Sequence, residues 1–157
     1  MSVEEAALAL GVRSLRDVTS ADLGKALDQL DGRLRPRTRH VVTENARVEI
    51  AVDLMRGGDY AAVGQLMYMS HRSLRDDYEV SCPELDTAVD AALAAGALGA
   101  RMTGAGFGGC AIALIRGGTR KSIENAVTNA YREREFRAPR FFTATASAGA
   151  QRVPVYQ

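Results

Sequence analysis

The stretch "TGAGFGGC" (Thr103–Cys110) places four glycines within six residues and runs directly into the apolar segment Ala111–Ile115. Gly104, Gly106 and Gly109 match the spacing G-x-G-x-x-G of a dinucleotide-binding loop. That fingerprint requires a helix after the loop, because the pyrophosphate binds at the helix N-terminus. The residues that follow here are β-branched and apolar without helical periodicity, and the sequence contains no Gly-Lys-Ser/Thr signature of a P-loop. The pattern therefore predicts a strand, a glycine loop and a second strand.

The residues alone leave two interpretations of this loop. Glycine permits positive φ, so the loop fits a hairpin turn, but a tight hairpin needs only one or two glycines. Four glycines carry a cost in backbone entropy, which favours a loop whose N–H groups approach a ligand closely, as in anion-binding nests. Phe107 at its centre either lines the ligand pocket or packs back onto the sheet. The candidate ligand-contacting residues are Thr103, Gly104, Ala105, Gly106, Phe107, Gly108 and Gly109.

Helical periodicity dominates the first two-thirds of the chain. The longest predicted helix runs from about Arg35 to Met55, with one apolar seam of alternating four- and three-residue steps. Gly57–Gly58 ends it, and Asp59 is a predicted cap for a second helix that reaches about Arg75. A two-glycine connection between two such helices predicts an antiparallel hairpin. The predicted seam consists of Val41, Asn45, Val48, Val52 and Met55.

Two shorter helices flank this hairpin in the sequence. The first is predicted to start at a Thr19 or Ser20 cap and to end at Asp31–Gly32. The second is predicted to start at Ser81 as the hydroxyl cap, with Pro83 in its first turn, where a missing N–H costs nothing.

After Gly96 the pattern changes from helical to strand-like. "LGARMTG" (98–104) and "CAIALI" (110–115) are predicted strands, and the second is too uniformly apolar for a solvated edge. A helix after Thr119 and a half-buried strand "RFFTATA" (140–146) complete the order. The predicted fold class is α+β, with helices packed on one face of a small, mostly antiparallel sheet.

Composition excludes several classes of protein. At 157 residues the chain fits one domain, and a net charge of +1 gives no general attraction to nucleic acid or anionic membrane. No apolar run reaches the ~20 residues that span a bilayer. Cys82 and Cys110 are too few for a disulfide framework or a structural zinc site. We therefore expect two buried free thiols, with Cys110 as a small core residue, a cytoplasmic location, and no nucleic-acid or membrane partner.

Two polar features are predicted to be structural. His71 has no nucleophile or metal partner at a suitable spacing, so we expect it to make a structural hydrogen bond. Asp76, Asp77 and Glu79 form an acidic cluster that is typical of a solvated turn between two helices.

Four ordered stretches resemble the GHMP kinase superfamily in its galactokinase form. "GARMTGAGFGGCAIAL" (99–114) is similar to the third sequence motif of that superfamily. "SHRSLRDDYEVSCPELD" (70–86) and "RTRHVVTENARV" (37–48) are similar to galactokinases, in the same order. "ALGVRSLRDVT" (9–19) extends the similarity, which thus covers nearly the whole chain.

The resemblance implies a ferredoxin-like GHMP kinase C-terminal domain over residues 1–157. Galactokinases phosphorylate the anomeric hydroxyl of galactose with Mg and ATP, in a cleft between two lobes. No "GEHTDY"-like sugar motif and no Gly-Leu-Ser-Ser-Ser-Ala phosphate loop occur in this sequence, so we expect the C-terminal lobe without its catalytic N-terminal lobe. The isolated chain is then expected to be inactive and to hold no catalytic or metal-ligating residue. The glycine loop is expected to line the cleft.

Ser81 and Arg101 are further candidates for the cleft side. Ser81 is otherwise a helix cap, and Arg101 otherwise a cap on the sheet edge. An alternative to the kinase lobe is a free-standing ligand-binding or regulatory module derived from a sugar kinase. An RNA-binding sheet is disfavoured, because "CAIALI" offers no aromatic platform. Self-association through an exposed lobe interface, and galactose versus a related sugar, stay open.

Overall fold

The chain is helical up to its fifth α-helix, and its two strands lie on either side of the glycine loop. The computed structural model describes residues 2–145 and Gly149. The predicted α+β class, with helices and a small antiparallel sheet, is confirmed. The elements are α1 (Ser2–Ala9), a 3₁₀ helix (Leu15–Asp17), α2 (Leu23–Asp28), α3 (Leu34–Arg56), α4 (Tyr60–Asp76), α5 (Pro83–Ala94), β1 (Gly99–Thr103), β2 (Cys110–Leu114) and α6 (Arg120–Glu133).

The predicted helical hairpin is α3 followed by α4. Gly58 adopts a φ of 74°, a conformation that glycine takes without strain, and it turns the chain between the helices. The Asp59 side chain accepts the Ala62 N–H at 3.0 Å and caps α4 as predicted. The local sequence signals therefore locate this turn correctly.

The apolar seam on α3 is buried less than predicted. Its fully buried side chains are in the N-terminal half of the helix, including Val42. In the other half, Val48, Val52 and Met55 are exposed, and so is Ile50. The predicted inward seam is wrong for Val48, Val52 and Met55, because no element of the described chain covers the face of α3 that carries them. Periodicity identifies an apolar stripe but not what packs on it.

An apolar cluster joins the sheet to the last two helices. Ala100 of β1 packs with buried side chains of α5 and α6. The Tyr131 hydroxyl of α6 donates a hydrogen bond to the Glu84 carbonyl in the first turn of α5 at 2.7 Å. The other buried members of this cluster are Val89, Ala92, Ile123, Val127 and Tyr131.

A second apolar cluster surrounds the N-terminal helices. Helix α1, which the sequence did not predict, buries Ala6 and Ala7 there. Helix α2 is shorter than predicted, and its cap position is Asp22 rather than Thr19 or Ser20. Thr19 instead donates a hydrogen bond to the Asp22 carboxylate at 2.6 Å. The cluster also contains Leu15, Leu30 and Leu34.

The sheet has fewer strands than the sequence predicts. β1 and β2 pair antiparallel in a register from Gly99 opposite Leu114 to Thr103 opposite Cys110. Residues 140–145 form no strand, and Ala146 lies outside the described residues. The half-buried strand predicted there is therefore not observed over 140–145.

Strand β2 is exposed, although its uniform apolar composition predicted burial. Residues 110–113 are all exposed, with Ile112 at 49%. Because β2 is the outer strand of a two-stranded ladder, nothing in the described chain pairs with its free edge. Cys110 is likewise exposed and Cys82 half-buried, so the expectation of two buried thiols is wrong.

Between residues 2 and 145, none of the helices has the length and apolar content needed to cross a bilayer.

Helix α4 lies against the backbone of β1. A Cβ on Gly64 would come within 2.1 Å of the Leu98 carbonyl oxygen, and one on Gly99 within 2.1 Å of the Gly64 oxygen. Alternate N–H groups of a strand point away from its partner strand. The Met102 N–H donates to Nδ1 of His71 on α4, at 3.2 Å. Two glycines and one histidine therefore fix α4 on β1.

We expect Gly64→Ala to destabilise the domain strongly. In a free helix this change stabilises by about 1 kcal/mol. Here the new methyl group meets backbone atoms that cannot move independently, so the net loss is expected to exceed about 2 kcal/mol. Urea denaturation measures the free energy of unfolding.

The matched control is Gly24→Ala in helix α2, where an added Cβ has no atom within 4 Å. This variant should be neutral or slightly stabilised. Equal free energies of unfolding for the two variants would show that α4 and β1 are not in backbone contact.

Candidate functional site

The glycine loop adopts a backbone that L side chains rarely take. Gly104, Gly106, Gly108 and Gly109 have φ values of 94°, 90°, 126° and 105°. Phe107 also has positive φ, at 59°, in the left-handed region. Glycine is therefore favoured at all four positions by their positive φ values, and a tight turn would need only one or two of them.

A single backbone hydrogen bond ties the interior of the loop to another segment of the described chain. The Phe107 N–H donates to the Val80 carbonyl, in the α4–α5 connection, at 2.7 Å. Gly106 lies directly on the same residue, because a Cβ there would come within 2.6 Å of the Val80 oxygen. A Cβ on Gly104, Gly108 or Gly109 would meet nothing within 4 Å. The centre of the loop is thus seated on Val80, and the rest faces open space.

The remaining loop N–H groups have no partner within residues 2–145. Those of Gly104, Ala105, Gly106, Gly108 and Gly109 make no hydrogen bond to this part of the protein. The loop surrounds an open cavity of about 580 Å³ lined by residues 103–110. Phe107 is 77% exposed and does not pack back onto the sheet. Several closely spaced N–H donors around an open cavity suit a bound anion.

Ser81 lies beside Val80 but is not the helix cap. The cap position of α5 is Cys82, whose side chain makes no capping hydrogen bond. Pro83 opens the helix as predicted. The Ser81 hydroxyl instead donates to the Asp86 carboxylate at 2.6 Å. Ser81 therefore anchors the chain next to the residue that carries the loop.

Arg101 is held by a carboxylate of α3 rather than capping the sheet edge. Its guanidinium donates to Glu44 at 3.0 Å and to the Met102 carbonyl at 3.1 Å. Glu44 also accepts hydrogen bonds from Arg47 and Ser70. Burial alone would raise the pKa of the Glu44 carboxyl, but the hydrogen bonds from Ser70 and Arg47 outweigh it and hold that pKa below its usual range. The cluster joins α3, α4 and β1.

His71 makes the structural hydrogen bond that was predicted, to the Met102 N–H. The imidazole is fully buried. Its Nε2 lies 3.1 Å from an Asp86 oxygen in an oblique approach that lacks hydrogen-bond geometry. Burial lowers the pKa of His71, and the nearby Asp86 carboxylate only partly opposes this shift. The ring is therefore neutral at physiological pH.

Of the three acidic residues in the predicted solvated turn, Asp76 and Glu79 are exposed, whereas Asp77 is held by ion pairs and hydrogen bonds. Asp77 is largely buried and accepts hydrogen bonds from Arg39 at 2.7 Å and from Ser73 at 2.9 Å. Glu79 pairs with Arg37. The solvated-turn prediction is wrong for Asp77. The described part of the chain contains no group of three or more side chains placed to bind a metal ion.

Comparison with known proteins identifies the family. The profile described as "GHMP kinases C terminal" matches residues 50–133, more than half of the chain. The chain belongs to the GHMP kinase C-terminal family. This confirms the resemblance carried by the glycine loop.

Relatives of this GHMP kinase domain include several galactokinases. Galactokinase of Streptomyces coelicolor is 51% identical over 152 residues, which are 96% of this chain and 39% of that protein. Human galactokinase is 56% identical over 113 residues, 71% of this chain and 29% of that protein. Lactococcus lactis galactokinase complexed with galactose superposes with a TM-score of 0.82 at 40% identity, covering 85% of this chain and 36% of that chain. The chain thus spans well under half the length of these relatives.

In this GHMP kinase domain, Gly104→Ala and Gly106→Ala separate backbone strain from steric contact. Both positions have φ near 90°, so both substitutions impose similar strain of about 1–3 kcal/mol. Only the methyl group at position 106 collides with Val80. We expect Gly106→Ala to cost about 1–3 kcal/mol more than Gly104→Ala.

Urea denaturation of both variants, compared with the unsubstituted chain, measures this difference. Equal losses at the two positions would argue that the loop is not seated on Val80.

The stability of the GHMP kinase domain should fall as the pH drops from 7.5 to 5.5. Burial lowers the folded-state pKa of both His71 and His40 below the value of about 6.5 in an unfolded chain. The unfolded state therefore binds more protons below pH 6.5, and each histidine contributes a loss of up to about 1.4 kcal/mol per pH unit. Urea midpoints over this range measure the slope.

His71→Asn, whose side-chain oxygen can accept the Met102 N–H, should flatten this slope. His40→Asn serves as the companion variant. An unchanged slope in the double variant would assign the acid sensitivity to other groups.

Proposed function

We propose that this chain is the C-terminal lobe of a galactokinase, an enzyme that transfers the ATP γ-phosphate to the anomeric hydroxyl of galactose. The galactokinase relatives support the reaction class. The Lactococcus lactis enzyme, complexed with galactose, supports the sugar. The observation that carries the assignment to a site is the set of N–H donors on the glycine loop that make no hydrogen bond within residues 2–145. We assign Thr103, Gly104, Ala105, Gly106, Phe107, Gly108 and Gly109 to the wall of the active-site cleft.

The loop fits the phosphates of ATP better than it fits a metal ion. Phosphoryl transfer depends on positioning and on neutralising charge at the phosphate oxygens. Backbone N–H groups supply such contacts without a charged side chain. The described residues offer no acidic cluster for Mg²⁺. In this proposal the loop of this chain holds phosphate oxygens, while ligands for Mg²⁺ come from the remainder of a longer kinase.

Ser81 and Arg101 are proposed to hold the segments that carry the glycine loop. Ser81 adjoins Val80, the residue on which the loop is seated. Arg101 lies in the strand that leads into the loop, and Glu44 holds its guanidinium. We propose that both residues position the loop without binding substrate.

The chain by itself is proposed to be inactive. A well-placed electrostatic contact contributes about 2–4 kcal/mol to transition-state stabilisation. The proposed site has loop donors but no described general base or metal ligand, so it lacks several such contributions. A regulatory module that binds a sugar-kinase ligand without turnover is the second candidate function. Micromolar binding of ATP to this chain alone, measured by calorimetry, would favour that candidate.

We further propose a cytoplasmic location and protein contacts rather than nucleic-acid or membrane contacts. A net charge of +1 supports the exclusion of polyanionic partners. Val48, Val52 and Met55 are exposed on one face of α3, at four- and three-residue steps, and this supports burial of that face against another protein surface. In a longer kinase that surface belongs to the same chain, and in the isolated chain self-association covers it.

A joined enzyme tests the proposed function. We would fuse this chain to the preceding part of Streptomyces coelicolor galactokinase and measure galactose-dependent ATP consumption. The fusion should be active, and Gly104→Val should lower kcat/KM by at least ~100-fold, because its branched side chain enters the open cavity.

The matched control is Gly118→Val. Gly118 has a similar φ of 85° and equally open surroundings, but it lies in the connection before α6. This variant should keep most of the activity. Full activity of Gly104→Val would exclude the loop from the active site.

A further inference from the structure

The α4–α5 connection carries the glycine loop. Within residues 2–145, Val80 of this connection accepts the one backbone hydrogen bond from the loop interior, and it leaves no room for a side chain at Gly106. The two ends of the loop are fixed by the β1–β2 pairing, in which Thr103 lies opposite Cys110. Between these ends the glycine-rich backbone has many accessible conformations, so the centre of the loop takes its position from Val80. The groups that immobilise Val80 therefore contribute to where the centre of the loop lies.

Arg37 of helix α3 grips the connection immediately before Val80. One guanidinium nitrogen donates to the Asp77 carbonyl and another to the Glu79 carboxylate. The guanidinium also lies 5.7 Å from the ring centroid of Tyr78, within cation–π range. One side chain therefore contacts three consecutive residues of the connection, although it is 40 residues away in sequence from the first of them.

A second brace holds the other side of Val80. Ser81 donates to Asp86, and the same carboxylate lies beside the buried His71. This brace belongs to α5 and α4, whereas Arg37 belongs to α3. Without Arg37, the segment before Val80 keeps its hydrogen bonds to the end of α4. Asp77 also keeps its ion pair with Arg39 of α3, and Tyr78 keeps its ring contact with His40 of α3. Glu79, the residue next to Val80, loses its partner on α3.

Glu79 indicates that this segment is held under constraint. It adopts a φ of 57°, which a non-glycine residue takes only at a cost. The ion pair with Arg37 holds Glu79 in this conformation. The Arg37 side chain is 21% exposed and the Glu79 side chain 66% exposed, so water screens the ion pair from the Glu79 side. The Arg37 hydrogen bond to the Asp77 carbonyl is the more sheltered of the two contacts.

We propose that Arg37 is a positioning residue for the phosphate-binding glycine loop, acting through Asp77, Tyr78 and Glu79 on Val80. This inference rests on the proposed function for the ligand but not for the mechanical link. Lysine cannot replace arginine here, because a single ammonium group cannot present the guanidinium fork that reaches both a carbonyl and a carboxylate. The role of Arg37 thus depends on its geometry and not only on its charge.

Amide hydrogen exchange in the 157-residue chain tests the mechanical link. In Arg37→Lys, the Phe107 amide should exchange at least ~10-fold faster, because its acceptor is no longer held in place. The amides of Val89 and Val127, in the α5–α6 cluster, should change by less than about twofold. Glu79→Gln, which removes one partner of Arg37 at an exposed side chain, should give an intermediate effect. The matched control is Arg33→Lys, one turn earlier, where an exposed arginine pairs with Glu5.

Two outcomes of the exchange experiment would overturn the proposal. The first is an unchanged Phe107 amide in Arg37→Lys. The second is an equal acceleration at Phe107, Val89 and Val127, which would show general destabilisation.

The joined enzyme separates this inference from the proposed function. In an active fusion, Arg37→Lys should raise KM for ATP about tenfold or more and leave KM for galactose within about twofold. A parallel rise in both KM values would contradict the positioning role. An inactive parent fusion would refute the proposed function, while the exchange result would still decide the link between Arg37 and Phe107.

Discussion

The backbone contact between α4 and β1 is the constraint on which the other parts of this domain depend. Gly64 and Gly99 allow a helix and a strand to approach at a distance that any side chain would forbid. In this position, polar residues of α4 contact two neighbouring elements. His71 meets β1, and Ser70 meets Glu44 of α3. The position of the long hairpin relative to the sheet follows from this one contact.

Polar groups, rather than apolar ones, connect the hairpin to the glycine loop. The Glu44 carboxylate links three elements, and Ser73 joins His40 on α3 to Asp77 at the end of α4. Buried polar networks are stabilising only when their members are satisfied, and removing one member leaves others unpaired. Substitutions in this region should therefore act on neighbouring groups as well as on the substituted residue. Apolar side chains in the α5–α6 cluster are more independent of the loop.

The sequence predicted the features that depend on local chemistry. The Asp59 cap, the glycine turn before it, Pro83 at the start of α5 and the loop between two strands are all local, and all are confirmed. Ser81 was assigned to the cap because it carries a hydroxyl, but α5 begins at Pro83 with Cys82 at the cap position, and the Ser81 hydroxyl donates to Asp86 instead. The local capping preference of serine therefore did not predict the position at which the helix begins.

The features that the sequence missed depend on distant segments. An apolar stripe on α3 and an apolar β2 were both read as buried, yet composition does not reveal whether a covering element exists. The role of Val80 could not be predicted from the sequence, because it contributes a backbone carbonyl group, which every residue carries.

The exposed strand β2 has a consequence for the isolated domain. Within the described residues, the outer edge of β2 has no partner strand, and the strand carries no charged side chain. Such an edge can pair with an extended segment of another molecule, so we expect the isolated domain to aggregate edge to edge at high concentration. Charge placed at Ala111 or Ala113 would act as a gatekeeper against it.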